Sequence, residues 1–199
     1  KIIQSAPLYK YLKNINVYSN NYMADSLFSF LGGLVEFRKF QKQTLNLSSD
    51  ELKFYTGSGL AYMDSNNRLD NLVSCFSFIK ILSLLKKQSE KFSLNLGHLL
   101  LNPSFDHEGT YDVQVDSQNY QGALVLKTGR LFELPALNLA GFVATSKGSL
   151  SFVFLGHDFD NETQAAQIES SRTQMLHQIF DFYPITSTYK TLNNFEILL

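Results

Sequence analysis

Residues 123–145 read ALVLKTGRLFELPALNLAGFVAT. Two apolar, strand-like runs flank a break at Lys127-Thr128-Gly129. Taken alone, a lysine and a threonine followed by glycine read as an edge strand or a turn. Working outward, "GALVLKTG", "ALNLAGFVAT" and "SLSFVFLG" form three strand-like runs between residues 120 and 156. The last two are joined by "SKG", a short turn with its glycine, and the pattern predicts an antiparallel meander.

Helical spacing takes over on both sides. Residues 19–31 carry Met23, Leu27 and Leu31 at spacing four, beside Ala24 and Phe28. That stripe predicts a helix with Ser19 as its N-cap and Gly32-Gly33 as its stop. Residues 69–87, with Leu72, Phe76, Ile79 and Leu82 in register, predict a second helix, apolar on most faces and therefore buried. A final helix is predicted from Asn161, whose capping role is supported by Gln164 three residues on. Ile168, Met175, Leu176, Ile179 and Phe180 supply its apolar face. After Tyr183-Pro184 the periodicity is lost, and a partly mobile tail is expected. No repeat or linker interrupts the chain, so residues 1–199 are expected to form part of one α+β domain, an antiparallel sheet packed with helices.

The bulk numbers narrow the function. Of 199 residues, 44% are hydrophobic and 18% charged, an ordinary globular balance. A net charge of −1 leaves no basic footprint, which sets nucleic acid aside as a partner. The single cysteine, Cys75, rules out an intrachain disulfide and any multi-cysteine zinc site, and is expected to be buried. The longest apolar runs fall short of the ~20 residues that a membrane-spanning helix needs. His157, Asp158, Asp160 and Glu162 cluster where the last helix begins; acidic groups favour that end of the dipole, so a structural role is expected. His107-Glu108, His98 and His177 have no companion ligand motif, and neither a metal nor a cofactor is expected. The first twenty residues have no apolar core followed by a cleavage site and read as the interior of a domain.

Three stretches matter together: "VYSNNYMADSLFSFLGG", "FYTGSGLAYMDSNNRLDNLVSCF" and the opening KTG strand. Their order and spacing resemble the penicillin-binding D-alanyl-D-alanine carboxypeptidase/endopeptidase family of the class C, low-molecular-mass type. That family carries SxN before a helix, then a GSGLS segment, then KTG running into a strand. "FDHEGTYDVQV" is similar to the segment the family places before KTG. The resemblance covers roughly residues 15–180 and implies an incomplete serine β-lactamase/penicillin-binding-protein-like fold.

The chemistry explains the residue types. Acyl transfer from a serine needs a base, a proton path to the leaving amine and an anchor for the substrate carboxylate. The resemblance implies that Ser19 relays protons toward the leaving group. Asn21 would hold the lysine of an SxxK motif and the substrate peptide. Lys127 would supply positive potential to the carboxylate and to Ser19, and Thr128 would hydrogen-bond that carboxylate. Gly129, lacking a side chain, would let the substrate backbone lie along the strand.

Two departures stand out. Where the family places Thr or Ser after KTG, this chain has Arg130, which either grips the carboxylate bidentately or points to solvent. In the GSGLS region, Thr56 replaces an aspartate and Ala61 the last serine. The larger gap is the nucleophile, since no SxxK precedes Ser19. The strings at Ser77–Lys80, Ser83–Lys86 and Ser187–Lys190 are no more than a serine- and lysine-rich chain gives by chance; the last would need a circular permutation. The expectation is therefore the C-terminal portion of a serine D,D-carboxypeptidase or endopeptidase, with the nucleophile on a missing N-terminal segment. Peptidoglycan peptides and β-lactams are the implied partners, and the periplasm or cell envelope the implied location. A catalytically dead, peptide- or partner-binding relative is the alternative, and a related esterase or β-lactamase a third reading. Without its companion segment, the chain should expose a large apolar surface.

Overall fold

A computed structural model describes residues 5–106, 120–131, 135–157 and 159–190. The chain divides into two compact units, one formed by Lys1–Ser19 with Lys86–Leu199 and the other by Asn20–Leu85.

The first unit is built on the predicted meander. Strands β5 (Leu124–Leu131), β6 (Ala136–Thr145) and β7 (Gly148–His157) pair antiparallel in that order. (Four short strands and four helices precede β5 in chain order and are introduced below.) Ser146-Lys147 forms the tight turn between β6 and β7, closed where Thr145 faces Gly148. The apolar run does not stop at KTG: Lys127, Thr128 and Gly129 lie inside β5, opposite Ala140, Leu139 and Asn138 of β6. Gly141 is demanded by close approach, because a Cβ there would run into the Val125 carbonyl oxygen. Leu124, Leu126, Leu139, Val143 and Phe152 face a core completed by Val17, Leu101, Tyr120 and Leu176.

Two helices cover that core. Helix α1 (Leu8–Tyr18) brings Val17, and α5 (Glu162–Phe182) brings Leu176 with Met175, Ile179 and Phe180 packed beside it. Asn161 caps α5 as the sequence predicts, its side chain accepting from the Gln164 N–H at 3.0 Å. Of the tail expected to be partly mobile, residues 184–190 are packed, and 191–199 lie outside the described residues. Ile185 bridges to Thr145, the Tyr189 N–H donates to the Gly122 carbonyl at 2.9 Å, and the Tyr189 ring is buried. The stretch through Lys190 is thus strapped to the sheet, by contacts that carry no helical or strand periodicity to read.

The second unit holds α2 (Asn21–Phe30), α3 (Gly33–Phe40) and a π turn (Gln41–Leu45). Four short strands follow: β1 (Leu52–Lys53) pairs with β4 (Leu72–Val73), and β2 (Tyr62–Asp64) with β3 (Asn67–Leu69). Its core is small, with Leu45, Leu47 and Leu52 buried beneath Phe37, Val73, Ile81 and Leu84. Phe37 stacks on Phe54 at 4.3 Å between ring centroids. The Gln41 side chain donates to the Ser48 and Leu52 carbonyls, closing the loop after the π turn.

Helix α4 (Cys75–Lys91) carries the chain from this unit into the first. It starts later than the predicted 69–87, because Leu72 is drawn into pairing with Lys53 and the Ser74 hydroxyl accepts from the Ser77 N–H at 3.1 Å. Nor is it buried on most faces: Leu82 is buried, but Phe76 is 67% exposed and Cys75 is exposed, contrary to the burial expected of both. Among the described residues of the second unit, ten large apolar side chains are exposed, Tyr22 and Phe30 most of all. No helix among the described residues is long and apolar enough to cross a membrane.

Candidate active site

Helix α1 ends at Tyr18, and the next residue turns into the left-handed region: Ser19 has φ 50° and donates its N–H back to the Ile15 carbonyl. The sequence predicts Ser19 as the cap of the following helix, but Asn20 takes that role. The Asn20 side chain accepts from the Met23 N–H at 3.0 Å. With capping assigned to its neighbour, the Ser19 hydroxyl is left for another partner. That partner is Lys127, whose Nζ donates to Ser19 Oγ at 2.8 Å across 108 residues of sequence.

Lys127 is held at both ends. Its backbone sits in β5 opposite Ala140, and its ammonium also donates to the Thr128 carbonyl at 2.6 Å. Burial makes the cation costly there and pulls its pKa from 10.5 down to about 8. A lysine so tuned is still mostly charged at neutral pH, yet within reach of giving up its proton.

β5 is an edge strand, and its outer edge is bridged by Leu101 at Leu126, immediately before the motif. Successive strand residues alternate faces, so Thr128 and Arg130 share one face and Lys127 and Gly129 the other. Thr128 is half-buried, while Gly129 and Arg130 are exposed. A Cβ at Gly129 would meet only Asn138, at 3.6 and 3.9 Å, so the described neighbours do not demand glycine. Asn21, the first residue of α2, is exposed and belongs to the second unit.

Within the second unit the GSGLA stretch is fastened to α2. A Cβ at Gly57 would come 2.5 Å from the Ala24 carbonyl oxygen, and the Ser58 N–H donates to the Asp25 carboxylate at 2.8 Å. Thr56, where the family has aspartate, donates its hydroxyl to the Leu60 carbonyl at 2.6 Å. Asn71 holds the front of the loop through the Tyr55 and Thr56 backbones. Sequence reading overlooked both Asp25 and Asn71; each is a short polar residue whose partner lies far along the chain.

The downstream SxxK strings are not assembled. Ser77 is fully buried against Ser74, Lys86 donates to the Ser149 carbonyl, and Ser187 and Lys190 are both exposed. In none of the three does the lysine bond its serine among the described residues. No group of three or more His, Cys, Asp or Glu is placed to hold a metal ion among the described residues. His107, Glu108 and Asp158 lie outside them.

With this geometry in place, the sequence matches the D-Ala-D-Ala carboxypeptidase 3 (S13) family over residues 2–178. The chain belongs to that family. Its structure is similar to the Bd0816 predatory endopeptidase of Bdellovibrio bacteriovorus, solved with immunity protein Bd3460: TM-score 0.75 and 29% identity, over 96% of this chain and 48% of that one. It is similar as well to the penicillin G-acylated Bd3459 endopeptidase of the same organism, with TM-score 0.78, 24% identity and coverage of 97% and 52%. Penicillin-binding protein 4 (dacB) of Haemophilus influenzae, complexed with a β-lactam, shares the fold at TM-score 0.63 and 24% identity, covering 86% and 41%. No curated protein matches the sequence. The chain therefore spans about half the length of the solved relatives it matches. The resemblance read from SNN, GSGLA and KTG, and the α+β penicillin-binding-protein-like fold it implied, are both borne out.

Proposed function

We propose that this chain supplies one wall of the cleft of a serine-type D,D-carboxypeptidase or endopeptidase that cuts peptidoglycan stem peptides. Residues 1–199 would then be the C-terminal portion of one such domain, in the periplasm or cell envelope. The observation that supports this reading is the 2.8 Å hydrogen bond between Lys127 Nζ and Ser19 Oγ, made by a lysine whose pKa burial has lowered. A hydroxyl held by a titratable ammonium is a proton relay, which acyl transfer to serine requires at the leaving amine.

In this reading a serine nucleophile from an SxxK segment attacks the penultimate peptide carbonyl. The leaving amine takes its proton by way of Ser19, and water then cleaves the acyl-serine ester. Lys127 supplies positive potential to Ser19 and to the substrate's terminal carboxylate. Thr128 donates to that carboxylate, and Arg130, on the same face of β5, provides the guanidinium that replaces the family's hydroxyl. Gly129 leaves the strand surface bare for the peptide backbone. Asn21 is assigned to the SxxK lysine and the substrate amide.

The test is covalent labelling of the full-length protein with a fluorescent β-lactam. An adduct that is lost or slowed at least a hundredfold in Lys127→Met supports the assignment; no adduct on the wild-type protein overturns the hydrolase. That second outcome would favour a peptide-binding relative without catalysis, a reading motivated by Arg130 and by SxxK strings whose lysines do not reach their serines.

A further inference from the structure

Lys13 lies in the middle of α1 with no exposed surface. A lysine is seldom buried without a purpose, because desolvating its ammonium is expensive. Its Nζ donates to the Asp106 carboxylate and, at 2.7 Å, to the Leu100 carbonyl. Burial lowers the Lys13 pKa, and Asp106 opposes that shift. One turn further along α1, the Asn16 side chain donates to the Leu99 carbonyl at 2.8 Å. Two polar side chains of one helix are thus fastened to one segment, residues 99–106.

That segment is in turn fastened to β5. Leu101 and Leu126 exchange both backbone hydrogen bonds, at 3.1 and 2.8 Å, one residue before Lys127. Asn102 is tied on both sides of the turn: its N–H donates to the Asp106 carboxylate at 2.6 Å, and its side chain donates to the Gly122 carbonyl at 3.1 Å. The Gly122 N–H donates to Ser104 Oγ at 2.9 Å. A continuous set of ties therefore runs from α1, whose last turn presents Ser19, through 99–106 to the strand that presents Lys127. All of it lies within the first unit.

We propose that Lys13 and Asp106 are positioning residues, which set the Ser19–Lys127 separation by fixing α1 to the 99–106 segment that is bridged to β5. This rests on the reading that Ser19 and Lys127 work as a pair, but it can be measured separately. Stability alone is a poor reason to keep such a pair. Replacing a buried ion pair with well-packed apolar residues is often neutral or stabilising, whereas removing one partner leaves an uncompensated charge. What apolar replacements lack is direction: methyl groups pack at many offsets, while a lysine bridging a carbonyl and a carboxylate fits at one.

The decisive variant in the full-length protein is the double replacement Lys13→Met with Asp106→Leu. It should unfold no earlier than wild type, yet β-lactam acylation should slow by about 10- to 100-fold, the cost of a relay displaced by a fraction of an ångström to an ångström. Binding of the intact β-lactam before acylation should change little. The second readout needs no catalysis: isotope labelling and titration of Lys127 by NMR. In wild type it should titrate near 8; in the double variant it should move toward an ordinary lysine. Asn16→Ala, which cuts the second tie and leaves the ion pair whole, should shift Lys127 in the same direction by less, and serves if the double variant does not fold. An unchanged Lys127 titration in whichever of these variants folds overturns the proposal, even if the wild-type protein acylates normally. A wild-type protein that does not acylate, but whose Lys127 titration moves as expected, overturns the hydrolase reading and leaves this one standing.

Discussion

The two units of the chain differ in how completely they close. The first buries nine residues in one apolar cluster, from Val17 of α1 through the meander to Leu176 of α5, several with no exposed surface. The cluster of the second holds three, Leu45, Leu47 and Leu52, under a cap of partly buried aromatics and aliphatics. Exposed apolar side chains run the opposite way: Tyr22, Phe30, Leu31, Val35 and Phe76 all belong to the second unit. A sheet with a helix packed on its face satisfies itself locally, while short helices joined by strands of two or three residues do not. Among the described residues the first unit therefore closes more fully than the second, although Phe92 and Phe182 are exposed in it. An exposed apolar surface of that kind is where a further segment would pack.

Mutations can break this comparison. Leu139→Ala removes a fully buried side chain at the centre of β6 and should cost about 2–5 kcal/mol, read as a lower midpoint in chemical denaturation. Phe30→Ser, at a side chain 85% exposed, should shift the same midpoint by no more than about 0.5 kcal/mol in the 199-residue chain. Equal effects from the two would mean that Phe30 is buried and that the second unit closes as fully as the first.

Proton linkage sharpens the contrast, because the buried cations sit in the closed unit. Lys127 is lowered to about 8 and Lys13 is lowered as well, so between about 8 and 10 the unfolded chain holds more protons than the folded one. Stability should then rise with pH over that window and level off below about 8, where the folded Lys127 holds its proton as the unfolded one does. Above 10 the raised pKa of Tyr189 works in the opposite sense. Denaturation at a series of pH values checks the slope, and Lys127→Met should flatten it.

A dye that fluoresces on apolar surfaces should bind the 199-residue chain, and Phe30→Ser combined with Val35→Ser should remove part of the signal. A chain that leaves the dye dark would contradict the contrast between the units. At the junction, Asn20→Ala deletes the cap of α2 and should cost about 1 kcal/mol, between the effects of Leu139→Ala and Phe30→Ser, with Ser19 unable to substitute because it serves the preceding helix.

The parts of the fold that were legible in the sequence are those where periodicity and local chemistry agree. Three apolar runs and a glycine turn gave the meander, and Asn161 with Gln164 gave the start of α5. The helix at 69–87 was misplaced because Leu72 and Val73 suit a strand as well as a helical stripe, and only their partners in β1 decide between the two. Ser19 and Asn20 are both good caps, and sequence cannot say which hydroxyl or amide a lysine 108 residues away will claim. KTG was legible as a family motif but not as the interior of a strand. The Lys13–Asp106 pair left no mark at all, since a lysine in a helix normally reads as solvated.

The order of events during folding follows from where the contacts fall along the chain. β5, β6 and β7 occupy one unbroken stretch with short connections, so the sheet is assembled from near neighbours and closes only small loops. Ser19 meets Lys127 only when a loop of more than a hundred residues shuts, an entropic barrier that local hairpins do not face. The strand that bears Lys127 can thus exist well before the hydroxyl arrives. A chain caught midway would present the lysine without its serine, and the hydrogen bond between them would form only when that long loop closes.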